Sequence, residues 1–372
     1  MLVTGLRLHS YRSYDELRFE PAPKLNVIVG ANAAGKTNVL EAICLCAIGR
    51  SFRTRRDQEL INMAASGAYV GLELENRGGS RRIEFRFRRD GKQVLIDGKG
   101  VHRMGELMGI LNAVLFSPED LSLVKDTPEA RRRFMDMELC QLRPAFFYKL
   151  QQYNAALKQR GALLRTAIET GVPPDESHLD MWDDRLTELG GDIMLIRREF
   201  MDELSTLARD INRRITGGRE ELYAFYKPNV SFQDGGRQDV RTVLSNALYN
   251  SREEDIRRGF TTRGPHRDDV GILIGDCDVR VYGSQGQQRT AALSMKLSEI
   301  ALMRSEKGES PVLLLDDVLS ELDGDRQREL LSSAFDCQCI LTTTSLDGLS
   351  GVPNVTAFEC ADGTLTRLPA ID

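Results

Sequence analysis

Gly30-Ala31-Asn32-Ala33-Ala34-Gly35-Lys36-Thr37 follows the apolar run Leu25-Asn26-Val27-Ile28-Val29 and leads into Asn38-Val39-Leu40-Glu41-Ala42. The eight residues fit GxxxxGK(S/T). The run before them reads as a buried strand. The run after them, from Thr37 to Ile48, reads as a helix with an apolar face at Val39, Leu40, Ile43 and Ala47. In that context, loop N–H groups and a helix N-terminus cradle phosphate. Lys36 is expected to neutralise charge on the β- and γ-phosphates, and the Thr37 hydroxyl to reach Mg²⁺. Asn38, beside Thr37, completes the expected nucleotide-binding set from Gly30 onward.

A second half of the same site stands near the other end of the chain. Val312-Leu313-Leu314-Leu315 runs into Asp316-Asp317. A carboxylate ending an apolar strand suits Mg²⁺, which makes Asp316 the metal candidate together with Thr37. Asp317 would point differently and could polarise an attacking water, so it and Lys36 are the catalytic candidates. A base one methylene shorter than Glu predicts slow hydrolysis. Upstream, Ser284-Gln285-Gly286-Gln287-Gln288 opens a helix whose free N-terminus and serine hydroxyl suit a phosphate oxygen. The order of these motifs predicts one nucleotide-binding head, split in sequence by a long insertion.

Composition narrows the class without deciding it. The chain has 372 residues, 41% hydrophobic and 28% charged, with 50 basic and 55 acidic side chains and a net charge of -5. That balance does not mark a nucleic-acid binder, so DNA contact would have to come from local basic patches. Candidate patches are Arg50, Arg53, Arg55 and Arg56, then Arg131, Arg132 and Arg133, and further on Arg257, Arg258, Arg263 and Arg267. No apolar run approaches the ~18 residues of a membrane span. Met1-Leu2-Val3-Thr4-Gly5 lacks the features of a signal peptide. The seven scattered cysteines read as reduced, mostly buried thiols, and the expected location is cytoplasmic.

Three segments are expected. Residues 1–121 hold the phosphate loop and strand-rich structure, including a hairpin turned at Asp90-Gly91. Residues 122–260 form a helical insertion that starts at Thr127-Pro128-Glu129, with Thr as cap and Pro at the first helical position. Leu179, Trp182, Leu186, Leu189, Ile193, Ile196, Phe200, Leu204, Leu207 and Ile211 keep a 3/4 alternation, the seam of an antiparallel helix pair. A helix over that run would be roughly 50 Å long, either packed on the head or projecting as an arm. Residues 261–372 return to strand character, with Val270–Ile274 and Val279–Tyr282 expected to pair. His266 in Gly264-Pro265-His266-Arg267-Asp268 is expected to hold a turn.

Taken together, these motifs resemble the ABC-class ATPases, and within that class the SMC-related DNA-repair group, most closely the RecF family. The resemblance spans essentially the whole chain. It rests on Leu8 with Tyr11 to Tyr14, Gly35 to Ala42, Ser51-Phe52-Arg53, Phe116 to Leu121, Arg131 to Asp136, Gly264 to Asp269, Ser284 to Arg289 and Leu315 to Asp323. It implies an α/β fold: an ABC-type head, with a mixed sheet around the phosphate loop and an antiparallel β subdomain, plus an inserted α-helical domain with an antiparallel helix pair. It implies ATP and Mg²⁺ as ligands and an ATP-dependent homodimer. In that dimer Ser284, Gly286 and Gln287 of one copy touch the nucleotide held by the other, with Asp323 at the seam. It also implies binding to double-stranded and gapped DNA, weak DNA-stimulated ATP hydrolysis, and work with RecR to load a recombinase.

Three positions depart from the general ABC pattern. Asp317 stands in place of Glu, Thr342-Thr343-Thr344-Ser345 in place of a switch histidine, and Ser117-Pro118-Glu119 in place of a γ-phosphate-sensing Gln. All three agree with slow turnover. A transporter motor, a P-loop kinase and a non-enzymatic protein ordered by ATP are the rival classes. The length of the insertion argues against the first, and the Ser284 motif against the second.

Overall fold

The computed structural model describes residues 1–233, 236–334, 336–346 and 352–369. The last residues of the expected 261–372 segment lie outside the described ones. Strands from both ends of the chain share one sheet, in the order Thr364–Arg367, Val355–Ala361, Leu25–Val29, Cys339–Thr343, Val312–Asp316, Ala113–Phe116. All neighbours are parallel except the outermost pair, Val355–Ala361 with Thr364–Arg367. Parallel strands need both faces covered, and Val27, Ile28, Leu314 and Leu315 are fully buried. The register sets Asp316 opposite Thr342 and Thr342 opposite Ile28. The phosphate loop and Asp316 therefore leave the sheet at the same edge, where α/β sheets bind ligands.

A second sheet is antiparallel throughout: Tyr14–Phe19, Leu2–Tyr11, Gly67–Asn76, Gly79–Arg88, Gly91–Ile96, Lys99–Gly100. The expected hairpin is present, with Arg88 paired to Gly91. The helices in chain order are α1 (Lys36–Ile48), α2 (Pro128–Leu142), α3 (Pro144–Thr170), α4 (Glu176–Thr216), α5 (Arg237–Asn250), α6 (Arg252–Arg258), α7 (Val279–Tyr282), α8 (Gln285–Lys307) and α9 (Gly324–Ala334). Helix α1 touches strands of both sheets. It is buried from Val39 to Ala47, on every side rather than on one face. A helix sandwiched between two sheets has no solvent side, which is why Ala42 and Leu45 are as apolar as the expected face.

The helical segment starts as expected: Thr127 Oγ1 accepts from Ala130 N at 3.3 Å and Pro128 opens α2. Helix α4 spans 41 residues, longer than the seam alone implied. Its apolar stripe meets α3, and also α5, α8 and the strand Leu222–Lys227. Of the two expected arrangements, the one in which this helix packs on the head is therefore the one found. Leu222–Lys227 in turn pairs with Asp269–Ile274, tying the insertion to the C-terminal part.

Two buried arginines lock that packing. Arg197 forks onto Asp136 at 2.9 and 3.0 Å, reaches Asp268 at 2.9 Å and donates to Pro265 O at 2.7 Å. Arg160 bridges Asp183 at 2.6 Å and Asp255 at 2.7 Å. Buried charges persist only when paired in this way.

Val279–Tyr282 is not a strand. Asp278 caps it as a helical turn, accepting from Arg280 N, and Asp269–Ile274 pairs instead with Cys277–Asp278 and Leu222–Lys227. A short β-branched run reads as strand, but an aspartate one residue ahead of it is also a helix cap, and the cap prevails. All seven cysteines are free, and all but Cys277 are buried. Among the described residues no helix is long and apolar enough to cross a membrane.

Candidate functional site

The phosphate loop turns on Ala33 (φ 66) and Gly35 (φ 107), both in the left-handed region. Gly30 is required for space as well, since a Cβ there would meet Cys360 O at 2.4 Å. Lys36 Nζ donates to Gly30 O and Ala31 O, each at 2.8 Å, so the ammonium holds the loop closed around itself. Gly35 caps α1 without a side-chain hydrogen bond, and the first turn has no acidic residue. The positive end of α1 is thus open, with Ala31, Asn32 and Ala33 exposed above it.

Thr37 Oγ1 donates to Asp316 Oδ1 at 2.9 Å, so the two expected Mg²⁺ ligands already face each other. A hydroxyl, a carboxylate and an open polyphosphate cradle form a hard-oxygen donor set that fits Mg²⁺. Thr342, from the strand between them, also donates to Asp316 Oδ1 at 2.8 Å. Its Oγ1 accepts from Asp317 N at 3.0 Å. Thr342 thus orients both aspartates. Sequence reading noted it only as part of a missing histidine's place.

Asp317 sits at φ 50, a strained conformation for a residue with a side chain, fixed by Thr342 and by Asp317 N donating to Thr342 O at 3.2 Å. Burial raises the Asp317 carboxyl above its ordinary value, Lys36 lowers it, and Asp316 raises it. A raised carboxyl is a better base.

Next to the loop, Arg12, Ser13, Asn38, Arg53, Asn62 and Met63 line a cavity of about 930 Å³. Asn38 donates to Ser13 Oγ at 2.9 Å and accepts from Arg53 at 2.9 Å. Arg12 forks onto the buried Glu41 at 2.7 and 2.9 Å. Met63 is fully exposed, an apolar side chain that a nucleotide could cover. Asn62 and Met63 carry no motif that composition or spacing could flag, and Arg12 lies in the Tyr11 to Tyr14 stretch of the resemblance without an expected role of its own. Arg53 lines this pocket and lies 3.8 Å from Glu41.

The Ser284 half is built by a capping box. Ser284 Oγ accepts from Gln287 N at 3.2 Å, and Ser284 N donates to Gln287 Oε1 at 2.9 Å. The hydroxyl proton remains free to donate. Gln288 is buried and pins the preceding loop through Val279 O and Gly283 O. Arg326 joins Asp323, Gly286 O (3.0 Å) and Thr290 Oγ1 (2.9 Å), coupling the Asp323 loop to this helix start. Ser284, Gly286, Gln287 and Asp323 share a cavity of about 360 Å³, which no phosphate-loop residue lines. Just before them Val281 and Tyr282 are 57% and 77% exposed.

Of the other basic candidates, Arg131 is removed. It is 2% exposed and forks onto Asp269 at 2.7 and 2.9 Å, so it holds α2 to Asp269–Ile274 and is closed to a DNA phosphate. Neighbouring arginines on a helix face different ways, which a run of three conceals. Arg50, Arg55, Arg132 and Arg133 converge instead on one cleft of about 830 Å³. Arg56 is exposed nearby in sequence. His266 is held by Tyr153 OH (2.8 Å) and Thr261 O (3.0 Å), and burial lowers its pKa to about 4, a turn-holding histidine as expected.

Ser117 caps the turn after Ala113–Phe116 through Asp120, and beside Asp120 lies a buried charge cluster. Lys296 of α8 binds Glu299 at 3.0 Å, with Asp120 at 4.0 Å and Glu138 of α2 close by. Glu138 Oε2 and Glu299 Oε1 meet no donor, so one proton shared between the two carboxyls satisfies both. Burial raises Glu138 to about 7 and Glu299 well above its ordinary value. A carboxyl raised in the folded state contributes stability at low pH that is lost as pH rises through about 7. Glu138→Gln, whose amide replaces the shared proton, is expected to raise stability by roughly 1–2 kcal/mol at pH ~8.5 and to change little at pH ~6. Thermal midpoints of both proteins at the two pH values check this; a variant less stable at the higher pH would refute the shared proton.

The chain matches the family model described as RecF/RecN/SMC N terminal domain over residues 2–358. It is 44% identical to the DNA replication and repair protein RecF of Alkaliphilus oremlandii, covering 94% of this chain and 95% of that one. It is 41% identical to the RecF of Halothermothrix orenii, with both chains covered in full. Among solved structures it is similar to the recombination mediator protein RecF with ATP in the RecFOR pathway, at TM-score 0.91 and 34% identity, covering 99% of this chain and 97% of that one. An Smc head bound to the C-winged helix domain of ScpA shares the fold, at TM-score 0.57 and 16% identity, covering 99% and 97%.

Proposed function

The chain belongs to the RecF family, and from that premise we propose that it is an ATP-gated dimeric clamp on double-stranded and gapped DNA, serving recombinational repair and replication in the cytoplasm. Segments 1–121 and 261–372 form the head, and 122–260 is the insertion braced against it. Each copy holds ATP on Gly30 to Asn38, with Lys36 on the β- and γ-phosphates. Thr37 and Asp316 hold Mg²⁺, which when bound supplies positive charge to the phosphate oxygens. Asp317 takes the proton of the attacking water. Ser284, Gly286, Gln287 and Asp323 of the second copy close over the γ-phosphate.

One observation carries this reading. The Ser284 residues line a cavity that contains none of the phosphate loop, which supports a site completed by the Ser284 residues of a second copy. The exposed Val281 and Tyr282 beside it are the apolar surface such a contact would cover. Only the ATP state gains the contacts between copies, so hydrolysis removes them and opens the clamp. Arg50, Arg55, Arg56, Arg132 and Arg133 are the proposed DNA contacts. RecR is the proposed partner in recombinase loading, since a neighbouring structure is of RecF in the RecFOR pathway.

The kinetics distinguish this clamp from a protein that uses ATP only to dimerise and hold partners. ATP turnover per molecule should be slow, should rise with protein concentration, and should increase when duplex DNA is added. Turnover per molecule that is constant over a hundredfold dilution would contradict a shared site, and no turnover with DNA would favour the non-hydrolytic alternative.

A further inference from the structure

The loop that ends the long helix α4 reaches the Ser284 face. Gly217 (φ 62) and Gly218 (φ 77) stop the helix in left-handed turns, and Arg219-Glu220 follow. Glu220 accepts from Gln287 Nε2 at 3.1 Å, so the insertion orients a residue of the Ser284 motif. Arg219 and Glu220 line the same cavity as Ser284, Gly286, Gln287 and Asp323.

The charges of that cavity leave one cation unmatched. Arg326 is engaged by Asp323, and Asp325 by Arg328. Glu220 is engaged by Gln287. Arg219 is exposed; its Nε donates to Thr216 O at 2.8 Å, and among the described residues no carboxylate pairs with it. Three carboxylates, Glu220, Asp323 and Asp325, line a cavity that under the proposed function must receive the negative end of a triphosphate. Asp323 and Asp325 are matched by Arg326 and Arg328, which among the described residues leaves Glu220 without a cation and a phosphate still to be met. The guanidinium left to meet it is Arg219, whose Nη groups are left to donate.

We propose that Arg219 is a nucleotide-binding residue acting between copies, donating to the terminal phosphate of ATP held on the phosphate loop of the partner. This rests on the shared-site reading and extends it, because it makes the end of the helical insertion part of the ATP switch. When the γ-phosphate leaves, Arg219 loses its acceptor, and α4 feels the nucleotide state directly.

The test compares wild type, Arg219→Ala and Arg219→Lys as full chains, by sedimentation with ATP and Mg²⁺ over a range of protein concentrations. ATP affinity of the dilute monomer and the thermal midpoint are measured in parallel. Arg219→Ala should weaken ATP-dependent dimerisation roughly tenfold or more, the scale of one charge-assisted hydrogen bond. Arg219→Lys should recover part of the loss. Monomer affinity should not move, and the midpoint should fall only by the small amount that loss of the one bond to Thr216 O allows, whereas a residue that merely braces the loop would shift the midpoint and leave dimerisation of the folded protein unchanged. If wild type dimerises and Arg219→Ala dimerises equally well, the inference is overturned and the shared site stands. If wild type itself stays monomeric, the shared-site reading fails and the inference falls with it.

Discussion

Lys36→Ala is expected to lose about 2–5 kcal/mol of ATP binding, the range for removing one partner of a desolvated charge pair. Lys36 is 7% exposed, its ammonium is held by two loop carbonyls at 2.8 Å, and among the described residues no carboxylate forms an ion pair with it. Its positive charge is therefore available to the first anion that enters the loop. Alanine removes that charge and also frees Gly30 O and Ala31 O, so the loop loses its internal brace. The helix should survive, because alanine is the best helix former and α1 is packed on all sides. Titration calorimetry with ATP and Mg²⁺, alongside a thermal midpoint to show the fold is intact, measures the effect. An unchanged affinity in a folded variant would remove Lys36 from the site.

Ser284→Arg is expected to abolish ATP-dependent dimerisation while leaving the affinity of the monomer for ATP within about twofold of wild type. The serine does two things: its oxygen caps α8 through Gln287 N, and its exposed hydroxyl keeps a proton to give. Loss of the cap alone costs about 1 kcal/mol and is tolerable in a helix of 23 residues buried along much of its length. The larger effect is steric. An arginine side chain fills the small cavity that, on the proposed reading, receives the partner's phosphate. The effect should thus appear only where two copies meet. A Ser284→Arg protein that binds ATP more weakly as a monomer would mean that Ser284 acts within its own chain.

The parts of this molecule legible in the sequence are those where one local pattern carries a single physical meaning. A buried strand, a glycine loop and a helix can hardly be arranged otherwise, and the Thr37–Asp316 hydrogen bond at 2.9 Å follows once the two strand ends meet at one sheet edge. The seam of α4 was legible for the same reason, but its partners were not. A 3/4 alternation says that a stripe is covered, not that α5 and α8 cover it along with α3. Arg131 looked like its neighbours Arg132 and Arg133 because burial depends on Asp269, which is remote in sequence. The contacts of Thr342 and Arg12, and the role proposed for Arg219, were not legible for that reason too. Each acquires its role from a neighbour brought by the fold: Asp316 for Thr342, Glu41 for Arg12, and the Ser284 cavity for Arg219. Asp317 was picked out by its place after a strand, while its left-handed backbone was not legible.

The central claim, that one nucleotide is held by two copies, is tested most directly by mixing two inactive proteins. Lys36→Ala lacks a working phosphate loop but keeps Ser284, and Ser284→Arg has the reverse defect. Sedimentation with ATP and Mg²⁺ should show each variant monomeric alone. The mixture should form a heterodimer, because one complete site is restored from two broken copies. Dimer in wild type with none in the mixture, across protein concentrations up to about a hundredfold above the wild-type midpoint, would contradict the shared site.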